Sequence, residues 1–137
     1  MTPDTLAALH IAAFTDQRPW SAEEFEALLT SPHVFLVSQP QGFALGRVIL
    51  DEVELLTIAT APEARRRGVG RDLMGAFEAE AKRRGADLAH LEVAADNLPA
   101  LALYRGQGWA ETGRRTGYYA RPDGPAMDAV LMRKSLT

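Results

Sequence analysis

The sequence predicts an α+β fold, a mixed central sheet flanked by helices, on three observations. Two amphipathic helical segments come first, and three β-rich runs follow at hairpin spacing. The longest helical stripe then stands between the last of those runs and a further strand, and only that strand, helix, strand unit requires a parallel pairing.

Each element has a local cause. Thr2-Pro3 reads as an N-cap with proline in the first turn, and Leu6, Leu9, Ala13 and Phe14 recur at helical spacing behind it. After the loop Asp16-Gln17-Arg18-Pro19-Trp20, Ser21 and Glu24 form an S-x-x-E capping box for a second helix carrying Phe25, Leu28 and Leu29. Residues 34–37, 43–50 and 53–59 are β-rich and divided by Pro40-Gln41-Gly42 and Asp51-Glu52, which makes an antiparallel meander. Val69, Leu73, Phe77 and Ala81 line one face of the longest helix, and Gly85 stops it. Residues 88–95 return to strand. Asn97 caps a short helix through Leu98, Leu101 and Tyr104, ended by Gly106 and Gly108. Strands at 110–119 and 127–134, joined by the turn Arg121-Pro122-Asp123-Gly124, close the chain.

Composition bounds the function. The 137 residues fit one domain, 1–137, and 47% hydrophobic with 24% charged residues match a globular protein. No apolar run is long enough for a membrane span, and the N-terminus lacks the basic start of a secretory signal, so no membrane partner and a cytoplasmic address are expected. The absence of cysteine removes thiolate nucleophiles and cysteine metal sites. His10, His33 and His90 are too scattered for a metal constellation, although His90 shares a strand face with Glu92 and is an alternative base. A net charge of -3 argues against nucleic acid as a partner.

Arg65-Arg66-Arg67-Gly68-Val69-Gly70 lies between a strand and the longest helix. Glycines let backbone approach a ligand closely, and a helix N-terminus presents unpaired N–H groups with partial positive charge, so a pyrophosphate suits the turn. A solvated basic turn is the bland alternative. No Gly-Lys-Ser/Thr follows for a Walker loop, and Leu73 holds the third glycine position of a dinucleotide fingerprint. The pyrophosphate of coenzyme A remains the candidate.

R-x-x-G-x-G after the strand at 55–60, with Asn97 and the segment ending Leu103-Tyr104-Arg105-Gly106-Gln107-Gly108-Trp109, resembles the GNAT acetyltransferases over about residues 20–136. That resemblance implies acetyl-CoA as co-substrate and no metal. Backbone groups of Ile58, Ala59 and Thr60 would pair with the pantetheine arm. The turn of Arg65, Arg66, Arg67, Gly68, Val69, Gly70 and Arg71 would hold the pyrophosphate, and Asn97 and Tyr104 would also touch the cofactor.

Glu92 stands in an apolar strand, where a charge is costly unless paired or used, and Tyr104 follows twelve residues later. This spacing resembles the proton acceptor and proton donor of the RimI subgroup, which acetylates the N-terminal alanine of a ribosomal protein. An ion pair with an arginine is the structural alternative for Glu92, and a core aromatic the alternative for Tyr104. At pH 7 deprotonating an α-amine costs about 1.4 kcal/mol, against about 4.6 for a lysine, so an N-terminal acceptor needs less from its base. A phenol faces an uphill transfer of about 2 kcal/mol to a thiolate, so Tyr104 would mainly hydrogen-bond the leaving sulfur. Without cysteine, transfer is expected to be direct, in a ternary complex.

Three further places resemble the subgroup: the Pro19-Trp20-Ser21 loop, the strand ending Tyr118-Tyr119, and residues 128–132. They imply that Trp20, Tyr118 and Tyr119 bind a protein N-terminus. A staple or loop anchor is the alternative for Trp20. Two departures from the family pattern are expected: no first strand ahead of Thr2-Pro3, and one extra residue in the hairpin before its tyrosines. A monomer or weak homodimer is expected. A small-molecule amine acceptor and a non-catalytic acyl-CoA binder are the alternative functions.

Overall fold

The computed structural model describes residues 1–14 and 18–137, so Asp16 and Gln17 of the expected first loop lie outside the described residues. Helix α1 (Pro3–Ala13) starts at Thr2, whose hydroxyl accepts from the Thr5 N–H at 3.2 Å. Helix α2 (Ala22–Leu29) starts with the reciprocal capping box: Ser21 Oγ accepts from the Glu24 N–H and Glu24 Oε1 accepts from the Ser21 N–H, each at 3.2 Å. Trp20, just ahead of the cap, packs on Phe25 with ring centroids 5.5 Å apart, which fixes the angle at which the chain enters α2.

Strands β1 (Val34–Gln39), β2 (Gly42–Ile49) and β3 (Glu52–Thr60) form the meander. A short turn at Pro62–Ala64 leads to helix α3 (Val69–Arg83), then strand β4 (Leu88–Ala94), helix α4 (Leu98–Gly106), and strands β5 (Ala110–Tyr119) and β6 (Met127–Ser135). The six strands lie in the order β1-β2-β3-β4-β6-β5, and only β3 and β4 run parallel, as the sequence requires. β6 inserts between β4 and β5, leaving β5 as a mostly exposed edge whose Glu111, Arg114 and Arg115 discourage pairing with another chain.

Helices cover both faces. Leu73, Met74, Phe77 and Ala81 of α3 are all at most 1% exposed against Phe35, Val53, Leu55 and Leu91, and each large side chain there contributes roughly 1.5–3 kcal/mol. On the opposite face, Leu6 of α1 and Phe25 of α2 bury Phe43, Leu45 and Ala59.

The feature that makes a site is where the sheet opens. β3 pairs with β4 only at Glu52↔Leu88, Val53↔Ala89 and Glu54↔His90, and beyond those the two strands carry no mutual register. A bulge in the β2–β3 pairing pairs Leu45 with Thr57 but Gly46 with Leu55, leaving Leu56 as the extra residue. Bulges bend and twist a strand, and this one turns β3 away from β4 at the point where they part. Phe35 closes over Gly46 there, where a β-carbon would lie 2.5 Å from the ring.

The β5–β6 hairpin carries an irregularity of its own. Arg115 pairs with Ala129 and Tyr119 with Met127, so Thr116, Gly117 and Tyr118 lie opposite Asp128 alone. Gly117 takes a left-handed φ of 61°, and its N–H donates to Asp128 Oδ1 at 2.9 Å.

Candidate active site

A cleft of about 670 Å³ fills the space between the parted strands. Of the sequence-expected cofactor residues, Ile58, Ala59, Thr60, Arg65, Arg66, Gly68, Val69, Gly70, Arg71, Asn97 and Tyr104 all line it, and Arg67 does not.

Along one wall, β3 presents an open edge. The Ala61 N–H donates to Gln41 O at 2.8 Å, and alternation turns the backbone groups of Ala59 the same way, toward β2. Those of Ile58 and Thr60 therefore face the cleft, so the expected pairing role narrows to these two residues. At the end of the cleft, Arg66 at φ 66° and Gly68 at φ 80° make the turn before α3 visit the left-handed region twice in three residues. Such a turn curls its N–H groups into a concave array, and a left-handed arginine is strained. Gly68 caps α3 without a side-chain hydrogen bond, and the first helical bond comes from Asp72 to Gly68 O at 3.0 Å. The N–H groups of Val69, Gly70 and Arg71 thus precede the helix's own ladder and carry its positive end. A β-carbon on Gly70 would meet Leu103 Cδ2 at 3.3 Å, so a larger residue would narrow the cleft.

Two expected cofactor residues have side-chain partners within the protein. Arg65 Nη2 donates to Ala13 O at 2.9 Å, so this guanidinium is directed at the C-terminal carbonyls of α1. Asn97 Oδ1 accepts from the Ala100 N–H at 3.3 Å, so the amide oxygen caps α4 with one lone pair while the residue still lines the cleft.

Tyr104 is 4% exposed, packs on Trp109 and reaches the cleft wall. Burial, and then neighbouring Tyr119, push its phenol well above the ordinary range, so it stays a proton-bearing donor at neutral pH. Glu92 projects from β4 between buried Leu91 and Val93, which point to the α3 side, so its carboxylate faces the other way. It lies outside the cleft lining and pairs with Arg115 Nη2 at 3.1 Å. Tyr119 links the two: its phenol is pushed up to about 12 by burial first, then by Glu92 and Tyr118, with Arg121 opposing.

Trp20 does not line the cleft. Its N–H donates to His10 Nδ1 at 3.3 Å and its ring stacks on His10 at 5.2 Å, inside the α1–α2 layer. Tyr118 is 51% exposed with its ring 5.1 Å from Tyr119, on the hairpin rather than the cleft wall. The sequence reading missed Arg121 and Asp96. Both line the cleft and pair at 2.8 Å, and Arg121's side chain is only 10% exposed. In the sequence Arg121 was only part of a turn. Among the described residues, no cluster of side chains has metal-binding geometry. No helix described is long and apolar enough to cross a membrane.

Comparison with known proteins gives consistent matches. The chain matches the acetyltransferase (GNAT) family model over residues 3–109. It is 36% identical over 135 residues to the [ribosomal protein bS18]-alanine N-acetyltransferase of Escherichia coli strain K12, covering 96% of this chain and 90% of that protein. It is 35% identical over 137 residues to the N-alpha-acetyltransferase RimI of Mycobacterium tuberculosis, covering 93% of this chain and 83% of the relative. The crystal structure of the Escherichia coli ribosomal-protein-S18-alanine N-acetyltransferase aligns with a TM-score of 0.85 and 32% identity, over 96% of this chain and 85% of its own.

Proposed function

Because the chain belongs to the acetyltransferase (GNAT) family, we propose that it moves the acetyl group of acetyl-CoA directly to the α-amine of a protein beginning with alanine, a ribosomal protein in particular. The chain is an N-acetyltransferase. The acceptor follows the activity named for the Escherichia coli relative. The observation that carries the cofactor assignment is the parting of β3 from β4 beside an uncapped helix N-terminus, with Tyr104 in the same cleft.

The cleft fits the proposed co-substrate. Orphan N–H groups of Val69, Gly70 and Arg71 suit a diphosphate, and the Ile58 and Thr60 backbone suits an extended arm carrying amides. Acetyl-CoA supplies the activated thioester. Its arm, added as a strand edge, would satisfy backbone groups that β4 leaves unpaired. Glu92 takes the proton from the bound ammonium, directly or through an ordered water, so that the free amine attacks the thioester, and the modest cost of deprotonating an α-ammonium keeps a carboxylate adequate. Tyr104 keeps its proton because of its burial, and donates a hydrogen bond to the sulfur as negative charge develops there. Tyr118 and Tyr119 on the hairpin flank the acceptor's approach to Glu92.

The test is a panel of short N-terminal peptides, lysine peptides and small amines, scored by coenzyme A release. Preference for alanine-initiated peptides supports the proposal. Turnover of small amines alone would move the acceptor to a small molecule, and acetyl-CoA binding without turnover of any amine would favour an acyl-CoA binder.

A further inference from the structure

We infer that Arg115 holds the place of the acceptor's ammonium on Glu92, so that an arriving substrate exchanges with an internal cation. The inference rests on the reading of Glu92 as the group that receives the amine. Arg115 Nη2 stands 3.1 Å from Glu92 Oε1, and the arginine side chain is 54% exposed. An ion pair this open is worth at most about fivefold in an equilibrium, so it can be displaced. A second resting place lies beside it: the guanidinium sits over the Tyr118 ring, 5.4 Å from its centroid.

The hairpin makes this arrangement. With Thr116, Gly117 and Tyr118 opposite Asp128 alone, and Gly117 tied to Asp128 Oδ1, the strand folds Tyr118 back toward Arg115. Neighbouring Arg114 is held elsewhere, on Glu111 Oε1 at 2.8 Å, so only one arginine of the pair faces Glu92. A protonated α-amine offers what Arg115 offers, one positive charge with N–H donors. It takes the carboxylate while Arg115 stays on Tyr118. Acetylation turns that cation into a neutral amide, which no longer competes for Glu92. The guanidinium then returns as product leaves.

The experiment measures kcat and KM for a short alanine-initiated peptide at saturating acetyl-CoA, with thermal melts to verify folding. Arg115→Gln is expected to lower the peptide KM by up to about fivefold, and Arg115→Lys to restore it toward wild type. Arg114→Gln, which loses only the Glu111 pair, keeps the wild-type KM. Affinity for the acetylated peptide, read by calorimetry, is the same in wild type and Arg115→Gln. A peptide KM that is unchanged or raised in Arg115→Gln, or a fall shared equally by Arg114→Gln, overturns the inference alone. A wild-type enzyme that turns over no peptide overturns the acceptor reading and the inference together.

Discussion

Arg65 Nη2 donates to the carbonyl of Ala13 at 2.9 Å, tying the glycine turn that opens α3 to the last residue of α1, 52 positions away. The carbonyl is one of those a helix leaves unpaired at its C-terminus, and a cation there also meets the negative end of the helix dipole. Both residues line the same cleft, so the cofactor turn and the α1–α2 layer are mechanically joined. Arg65→Ala should therefore speed amide exchange in the last turn of α1 several-fold, measured by hydrogen exchange. Unchanged exchange there would mean that the tie does not hold the helix end in solution.

Glu92→Gln keeps shape and removes the proton acceptor. The expected outcome is a fall in kcat of about 10²–10⁴ with acetyl-CoA affinity unchanged, since Glu92 lies outside the cleft lining. Steady-state kinetics beside calorimetry read both quantities. Full activity in this variant would transfer the role to another group, with His90 on the same strand face the first to test.

Tyr104→Phe removes one hydroxyl from a 4% exposed ring. The expected loss in kcat is about 10²–10³, with little change in acetyl-CoA binding. Because burial and Tyr119 raise this phenol well above its ordinary range, the wild-type rate should show no loss from tyrosine ionisation up to about pH 10. A pH–rate profile falling through pH 9 and absent in the Phe variant would contradict this.

His10 is 3% exposed, accepts the Trp20 N–H and contacts the rings of Phe14, Trp20 and Phe25. Burial lowers it from 6.5 to about 4, with Glu24 opposing and Arg18 adding to the effect. The unfolded chain therefore binds a proton that the native state refuses between these values. Stability is full above about pH 6.5 and falls toward pH 4 by up to about 3 kcal/mol in total. Urea melts at pH 7 and pH 5 should show a smaller drop for His10→Gln than for wild type. Equal drops would place the pH dependence elsewhere.

What the sequence made legible was local. The Ser21–Glu24 capping box, the Thr2 and Asn97 caps and the glycine turn are short-range hydrogen-bonding patterns, and they fold as their residues require. Local motifs also engage two expected site residues: Trp20 packs as a staple ahead of α2, and Asn97 caps α4. What could not be read depends on distant partners. The parting of β3 from β4 goes with a bulge that leaves Leu56 unpaired on β3, and the position of β6 between β4 and β5 depends on long-range pairing. Arg121 becomes a cleft residue only because the hairpin brings it to Asp96. A spacing of twelve residues brought Glu92 and Tyr104 to notice, but it could not show that Glu92 leaves β4 outside the cleft lining while Tyr104 reaches the cleft wall from α4.

The whole account stands on the cleft between β3 and β4 receiving acetyl-CoA, and isothermal titration calorimetry on folded wild-type protein tests this most directly. It predicts saturable binding of one equivalent, weakened at least several-fold in Gly70→Val, where the added side chain would crowd Leu103 and Thr60. The absence of any binding heat across temperatures, with the protein shown folded by its thermal melt, would contradict it.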